Sequence, residues 1–250
     1  MRAAIAACFG LWMIGAVALA QQRSFIACPI VRDTRTVPCY LAEYDGETYF
    51  LGIQQDITSD FHPPQLKHEA LIEGTVAAGP RICGGIPLQP LSVSVIKEVN
   101  LACNTLLPEE TGIDAPPAER GPGPSTTPLE TAPARHQTFS GPQQFTVLYS
   151  FDDDYLEYGA QKVVNEAAAY AKQVKAASVK IAGYRATSLL SNGQQLTEKA
   201  GLAEKRAQNI ATLLRGLGVS NVTVDWKSEA EPGNAKTDPS RRRVSIAVAP

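Results

Sequence analysis

Apolar residues recur along this chain with two periods, and a third stretch carries few of them. From Phe145 to Phe151 the run Phe-Thr-Val-Leu-Tyr-Ser-Phe reads as a strand. Ala160, Val164, Ala167, Ala171 and Val174 then fall at spacings of 4, 3, 4 and 3, one face of a helix. Asp152-Asp153-Asp154 stands before it and is expected to cap it. Ser178 to Tyr184 predicts a second strand. Ala203, Ala207, Ile210, Leu214 and Leu217 repeat the helical spacing, and Gly216-Leu217-Gly218 is a plausible stop. Val222, Val224 and Trp226, then Val244, Ile246 and Val248, alternate as two more strands. The order β-α-β-α-β-β predicts a two-layer sandwich with both helices on one face of a sheet.

The front of the chain reads as all-β. Val37 to Tyr44 and Thr48 to Ile53 are β-rich runs joined at Asp45-Gly46, a hairpin signal. Leu66 to Val76 sets His68, Ala70, Ile72, Gly74 and Val76 on one face, and Leu91 to Val95 alternates Val with Ser. Pro63-Pro64, Gly79-Pro80 and Gly84-Gly85 punctuate these runs, as in a small barrel or sandwich.

Between the two patterns lie eight of the chain's 18 prolines, from Pro108 to Pro142. With few large apolar residues to offset chain entropy, this stretch reads as an extended spacer. Such a spacer suits ends that act apart, or simply tethers two folded units. The expected organisation of the 250 residues is therefore α+β: an all-β domain over 24–107, a Pro-rich linker over 108–142 and the sandwich over 143–250. Charge divides the same way. Residues 24–107 hold five basic against nine acidic side chains, and residues 143–250 hold fourteen against eleven. Neither field is strong, and no long basic cluster exists, which argues against nucleic acid as a partner.

Residues 1–20 resemble an export signal. Arg2 precedes an uncharged stretch from Ala3 to Ala20 that closes on Ala18-Leu19-Ala20, a small-x-small cleavage pattern. Ile5-Ala6-Ala7-Cys8 fits a lipoprotein box, but no apolar stretch precedes it. Without Cys8, four cysteines remain, Cys28, Cys39, Cys83 and Cys103, all in the front half. An even count in an exported protein predicts two disulfides rather than a zinc site, for which no C-x2-C pair exists. Three pairings are open; the one joining sequence neighbours, Cys28–Cys39 and Cys83–Cys103, is slightly preferred.

Catalytic chemistry is not legible. There is no G-x-S-x-G elbow, phosphate loop or H-E-x-x-H. His62 and His68, near Asp60 and Glu69, meet no recognised metal-ligand spacing, and neither a metal nor a cofactor is expected. Cys83 beside Gly84-Gly85 reads as half of a bridge rather than a nucleophile.

Four short motifs in the back half carry a resemblance. Phe151-Asp152 with Leu156, Gly183-Tyr184, Leu202-Ala203-Glu204-Lys205-Arg206-Ala207 and Arg242-Arg243-Val244 follow in order. Residues 143–250 thereby resemble the OmpA-like C-terminal domain, a periplasmic module that grips peptidoglycan. The resemblance implies that Arg206 clamps a carboxylate of the diaminopimelate in the stem peptide, where the family adds an aspartate for the ligand's ammonium. This chain departs from the pattern: Gly183-Tyr184 runs on as Arg185-Ala186, without the aspartate, and Thr187–Gly201 is longer than usual, with a turn at Ser191-Asn192-Gly193. Glu198 or Glu204 could stand in for the missing acid, while Arg206 could also be a helix-surface arginine paired with a nearby acid. Arg241, Arg242 and Arg243 alternate on a strand, so at least one should face solvent or a partner.

The resulting expectation is an exported, non-catalytic cell-envelope protein, periplasmic and in reach of the outer membrane. Its OmpA-like domain binds peptidoglycan weakly through Arg206, or formerly did. The alternative is an OmpA-like module used as a protein-interaction scaffold for envelope or outer-membrane proteins. An exported enzyme with its site in the front half is the third class.

Overall fold

The computed structural model describes residues 21–54, 66–116 and 141–250. The signal-like residues 1–20, His62 with Asp60, and most of the Pro-rich stretch lie outside them.

In the front half, strands β1 (Gln22–Ala27), β2 (Pro29–Arg32), β3 (Cys39–Tyr44), β4 (Glu47–Ile53), β5 (His68–Val76), β6 (Ile86–Val99) and β7 (Thr105–Leu107) form one sheet ordered β1-β5-β6-β4-β3-β2-β7. The β3–β4 hairpin turns at Asp45-Gly46, both at positive φ, as a tight hairpin turn requires. Strand β6 joins two parts of the sheet, pairing in parallel with β4 at Ile86 and Pro87 and antiparallel with β5 beyond them. Phe25 and Ile72 from one part meet Tyr40, Tyr49 and Leu51 from the other in one buried cluster, so the sheet folds over itself. Strands β1, β2 and β7 are not foreseen by sequence alternation.

The disulfides join Cys28 to Cys103 and Cys39 to Cys83, not the sequence neighbours. Strand pairing explains this correction. Strands β2 and β7 run parallel with Ile30 opposite Thr105, which sets Cys28 and Cys103, each two residues earlier, side by side. Cys83 sits in the tight Ile82–Gly85 turn, packed with Cys39 and Leu41. Residues 108–116, at the start of the expected spacer, lie on this sheet. Arg32 bonds Glu110 at 3.2 Å, Arg35 pairs with Asp114, and Ala115 is buried beside Ile30 and Cys39.

The back half contains β8 (Gln143–Leu148), α1 (Tyr158–Gln173), β9 (Ser178–Gly183), a hairpin of β10 (Thr187–Leu189) and β11 (Gln195–Thr197), α2 (Leu202–Gly216), β12 (Val222–Trp226), the single turn α3 (Asp238–Arg241) and β13 (Arg243–Ala249). Its sheet is ordered β12-β9-β13-β8, with β9 and β12 parallel and β13 antiparallel to both neighbours. Val164, Ala167 and Ala171 of α1 and Ala207, Ile210 and Leu214 of α2 are buried with Val179, Ile181, Val244, Ile246 and Val248. This is the predicted sandwich. Leu217, counted on the apolar face, is 38% exposed past the end of α2. The aspartate triplet does not cap α1, whose N-cap is Glu157 with no side-chain bond. Asp152 instead takes a positive φ in a turn, and Asp153 accepts from the amides of Asp154 and Tyr155. Gly183 lets α2 lie directly on β9: a Cβ there would come 2.1 Å from the Ala203 carbonyl oxygen.

The two halves are packed together. Strand β5 is buried on both faces from Ala70 to Gly74. Ala70 and Ile72 fill the front core, while Leu71 packs with Phe151 and Leu190, flanked by Ile26, Ile96 and Leu196. Beside this patch Glu73 accepts from Arg242 Nη2 at 2.6 Å, Arg242 Nη1 at 3.2 Å and the Ser188 hydroxyl at 2.9 Å. Ser24 and Ser191 exchange two bonds, and the Phe151 amide donates to Ser94 Oγ.

Candidate functional site

Arg206 lies on the fifth residue of α2, and its side chain is fully buried. Its Nε donates to the Asp153 carbonyl at 2.7 Å. Nη1 donates to the Tyr184 carbonyl at 3.3 Å and to Glu198 Oε2 at 3.2 Å; Nη2 donates to the Ser150 carbonyl at 3.0 Å and to Glu198 Oε1 at 2.6 Å. The face of the guanidinium rests on the Tyr149 ring, 4.7 Å from its centroid. Burial pushes the Tyr149 phenol well above its ordinary range, against the pull of the Arg206 charge.

Glu198 is as deeply enclosed as its partner, with neither side chain exposed. Besides the bidentate guanidinium, its carboxylate accepts the Asp152 amide at 3.0 Å and the Ala186 amide at 2.8 Å. Four donors thus surround one carboxylate, the arrangement a planar anion demands. They come from three places in the chain: Asp152 follows β8, Ala186 follows β9, and Arg206 is on α2. Three of the sequence motifs therefore converge on this point. Arg185 Nη1 holds the Glu198 carbonyl at 2.7 Å, and the Lys199 amide bonds Asp152 Oδ1 at 2.9 Å, fixing the segment that delivers Glu198.

Of the two acids considered for the missing aspartate, Glu198 reaches Arg206 and Glu204 remains exposed on α2. Glu198 is the direct ionic partner of the guanidinium. Arg206 has its nearby acid, but in the interior rather than on the helix surface. Ala186 is fully buried with its amide committed to Glu198, so an aspartate there would have to be housed in the interior rather than in an open pocket.

Of the closing arginines, Arg242 is fully buried on Glu73, and Arg243 pairs with Glu231 at 2.9 Å while lying 4.1 Å over the Tyr184 ring. Arg241 is partly exposed and bonds the Pro232 carbonyl. Sequence reasoning missed Glu73 and Ser188. The signal for Glu73 is the unbroken apolar run Ala70-Leu71-Ile72 before it, which marks a strand covered on both faces.

His68 Nδ1 donates to the Ile96 carbonyl at 2.8 Å. Among the described residues no group of three or more His, Cys, Asp or Glu side chains is arranged to hold a metal ion. No helix among them is long and apolar enough to cross a membrane.

No protein-family model matches the chain, and no curated protein does. The C-terminal part is similar in structure to OmpA-like domains. The OmpA-like domain of FopA1 from Francisella tularensis subsp. tularensis SCHU S4 aligns with 44% of this chain and 73% of its own, at 24% identity and a TM-score of 0.36. The cell wall anchor of the T6SS from Pseudomonas aeruginosa aligns with 44% of this chain and 82% of its own, at 22% identity and a TM-score of 0.34. For the peptidoglycan-associated lipoprotein from Burkholderia pseudomallei the shares are 42% and 90%, at 20% identity and a TM-score of 0.33.

Proposed function

We propose that this chain is an exported, non-catalytic cell-envelope protein, periplasmic, whose OmpA-like back half keeps its wall-binding site closed on its own Glu198. The observation that carries this reading is the Arg206–Glu198 pair. Four donors converge on one carboxylate, at the point where the motifs of a peptidoglycan-gripping module meet, and that carboxylate belongs to the chain itself. A stem-peptide carboxylate would have to displace an intramolecular partner, and the aspartate the family places after Gly183-Tyr184 is replaced here by Arg185-Ala186. Wall association of the resting protein is accordingly weak. The buried ionic groups Arg206, Glu198, Arg242 and Glu73 are all held by partners, an arrangement suited to holding shape rather than to proton transfer. The front half, 24–107, is the second domain in this reading, disulfide-stapled for an oxidising compartment.

A second reading is favoured by the hairpin before Glu198. Residues 187–196 are engaged with the front half, through Ser188, Leu190, Ser191 and Leu196. In that reading the module is a scaffold for envelope proteins and the anion site serves only stability. Co-sedimentation with peptidoglycan sacculi separates the two. The wild-type protein should pellet weakly and Glu198→Ala more strongly, with added diaminopimelate competing. The double variant Arg206→Met/Glu198→Leu, free of both charges, should not pellet. If Glu198→Ala, shown folded by circular dichroism, pellets no more than wild type, the scaffold reading holds. Tight pelleting by the double variant would place wall binding on another surface.

A further inference from the structure

The segments that build the carboxylate site are the same ones the front half touches. On one side, Phe151, Asp152 and Asp153 supply the Asp152 amide and the Asp153 carbonyl to the site. Phe151 is held by Ser94 and packs on Leu71, and Asp153 Oδ1 bonds Lys97 Nζ at 2.9 Å. On the other side, Glu198 closes the hairpin β10–β11. That hairpin is held at Ser188 by Glu73 and at Ser191 by Ser24, and the neighbouring Lys199 lies between Glu98 at 3.6 Å and Asp152 at 2.7 Å. Arg242, which Glu73 holds, also reaches the Tyr149 carbonyl, one residue before Ser150, whose carbonyl takes Arg206 Nη2. Every wall of the site except α2 and the end of β9 is thus braced by β1, β5 or β6.

We propose that the front half is a clamp on the Arg206 site: docked, it keeps Glu198 seated, and loosening the Glu73–Arg242 contact frees Glu198 and opens the four-donor hole to a carboxylate from another molecule. The inference rests on reading Arg206 as a carboxylate clamp, which supplies the ligand class. It adds that occupancy is controlled from the front sheet, so that whatever engages β5 or β6 changes what α2 can bind.

The test is arginine-selective labelling of the full chain by phenylglyoxal, read by peptide mass spectrometry with exposed Arg215 as the internal reference. In wild type, Arg206 should react slowly. Glu198→Ala should speed Arg206 labelling by removing its cover directly. Glu73→Gln, on the other half of the molecule, should speed it on the order of tenfold by raising the population of locally open molecules. Acetate should slow the reaction again in both variants. Lys97→Glu, at an exposed position, provides a second loosened interface should Glu73→Gln fold poorly. Val248→Ala, in the core far along β13, serves as a control of general destabilisation and should leave Arg206 slow. If Arg206 speeds up in Glu198→Ala but in neither interface variant, the clamp is overturned while the site stands. Equal acceleration in Val248→Ala overturns it too, as does failure of acetate to protect Arg206 in the interface variants. Unchanged labelling in Glu198→Ala would overturn the carboxylate reading itself.

Discussion

Replacing Glu198 by alanine leaves a buried guanidinium and two backbone amides without the acceptor they share. Breaking a buried ion pair by deleting one partner costs about 3–5 kcal/mol, because the remaining charge is uncompensated. A buried donor left unsatisfied costs about 1–3 kcal/mol. The effects are not additive, since water entering the vacated space would serve all four donors at once. Arg206 also keeps its bonds to the carbonyls of Ser150, Asp153 and Tyr184. The expected loss is therefore about 4 kcal/mol, measured by urea unfolding at neutral pH as a shift in midpoint with little change in slope. Acetate is small enough to replace the missing carboxylate. At ten times its dissociation constant it should restore about 1.4 kcal/mol by mass action, while leaving the wild-type protein unaffected. Chloride at equal ionic strength separates this from screening. A loss below about 1 kcal/mol, with no acetate dependence, would refute the claim that four donors depend on this one group.

Peptide mapping without reductant should recover Cys28 with Cys103 and Cys39 with Cys83; their sequence separations of 75 and 44 imply about 4 kcal/mol each on the chain-entropy estimate, so reductant should lower the melting temperature clearly. At the junction of the halves, Glu73→Leu and Arg242→Met should each destabilise by about 3–5 kcal/mol, and the double variant by far less, because a buried pair replaced by matched apolar groups is near neutral; additive losses in the double-mutant cycle would contradict this. Stability should also respond to pH at both extremes. Burial disfavours the Asp153 carboxylate, but bonds from Lys97 and from the Tyr155 and Asp154 amides outweigh it and hold the group below its ordinary range, so its contribution is present above the usual carboxylate range and is lost as pH falls through it. Tyr149 is displaced upward by burial, so its contribution is present below about pH 10 and is lost as pH rises beyond that. Denaturation series for Asp153→Asn and Tyr149→Phe should flatten the acid and alkaline limbs respectively; unchanged limbs would remove these groups from the account.

Much of the back half was legible residue by residue. Spacings of 4 and 3 placed Val164, Ala167 and Ala171 on the buried face of α1, and Ala207, Ile210 and Leu214 on that of α2, because a helix repeats its exposure every 3.6 residues whatever it packs against. Asp45-Gly46 announced the β3–β4 hairpin because few residues tolerate two consecutive positive φ angles. Short motifs pointed to Arg206, since a guanidinium at that helix position carries its chemistry with it. Local sequence also told that the four cysteines would pair, from count and setting alone. What it could not tell is who pairs with whom. Cys28 meets Cys103 because β2 and β7 are parallel neighbours, and that register is set by a sheet spanning almost the whole front half. Glu198 meets Arg206, and Glu73 meets Arg242, across 8 and 169 positions of sequence separation. Charge type and periodicity are properties of single residues and short windows. The choice of partner for a buried charge depends on which backbone segments the fold brings within hydrogen-bond reach and seals from water. That is why tertiary structure, and not the sequence motif, decided that Arg206 is closed by the chain's own carboxylate.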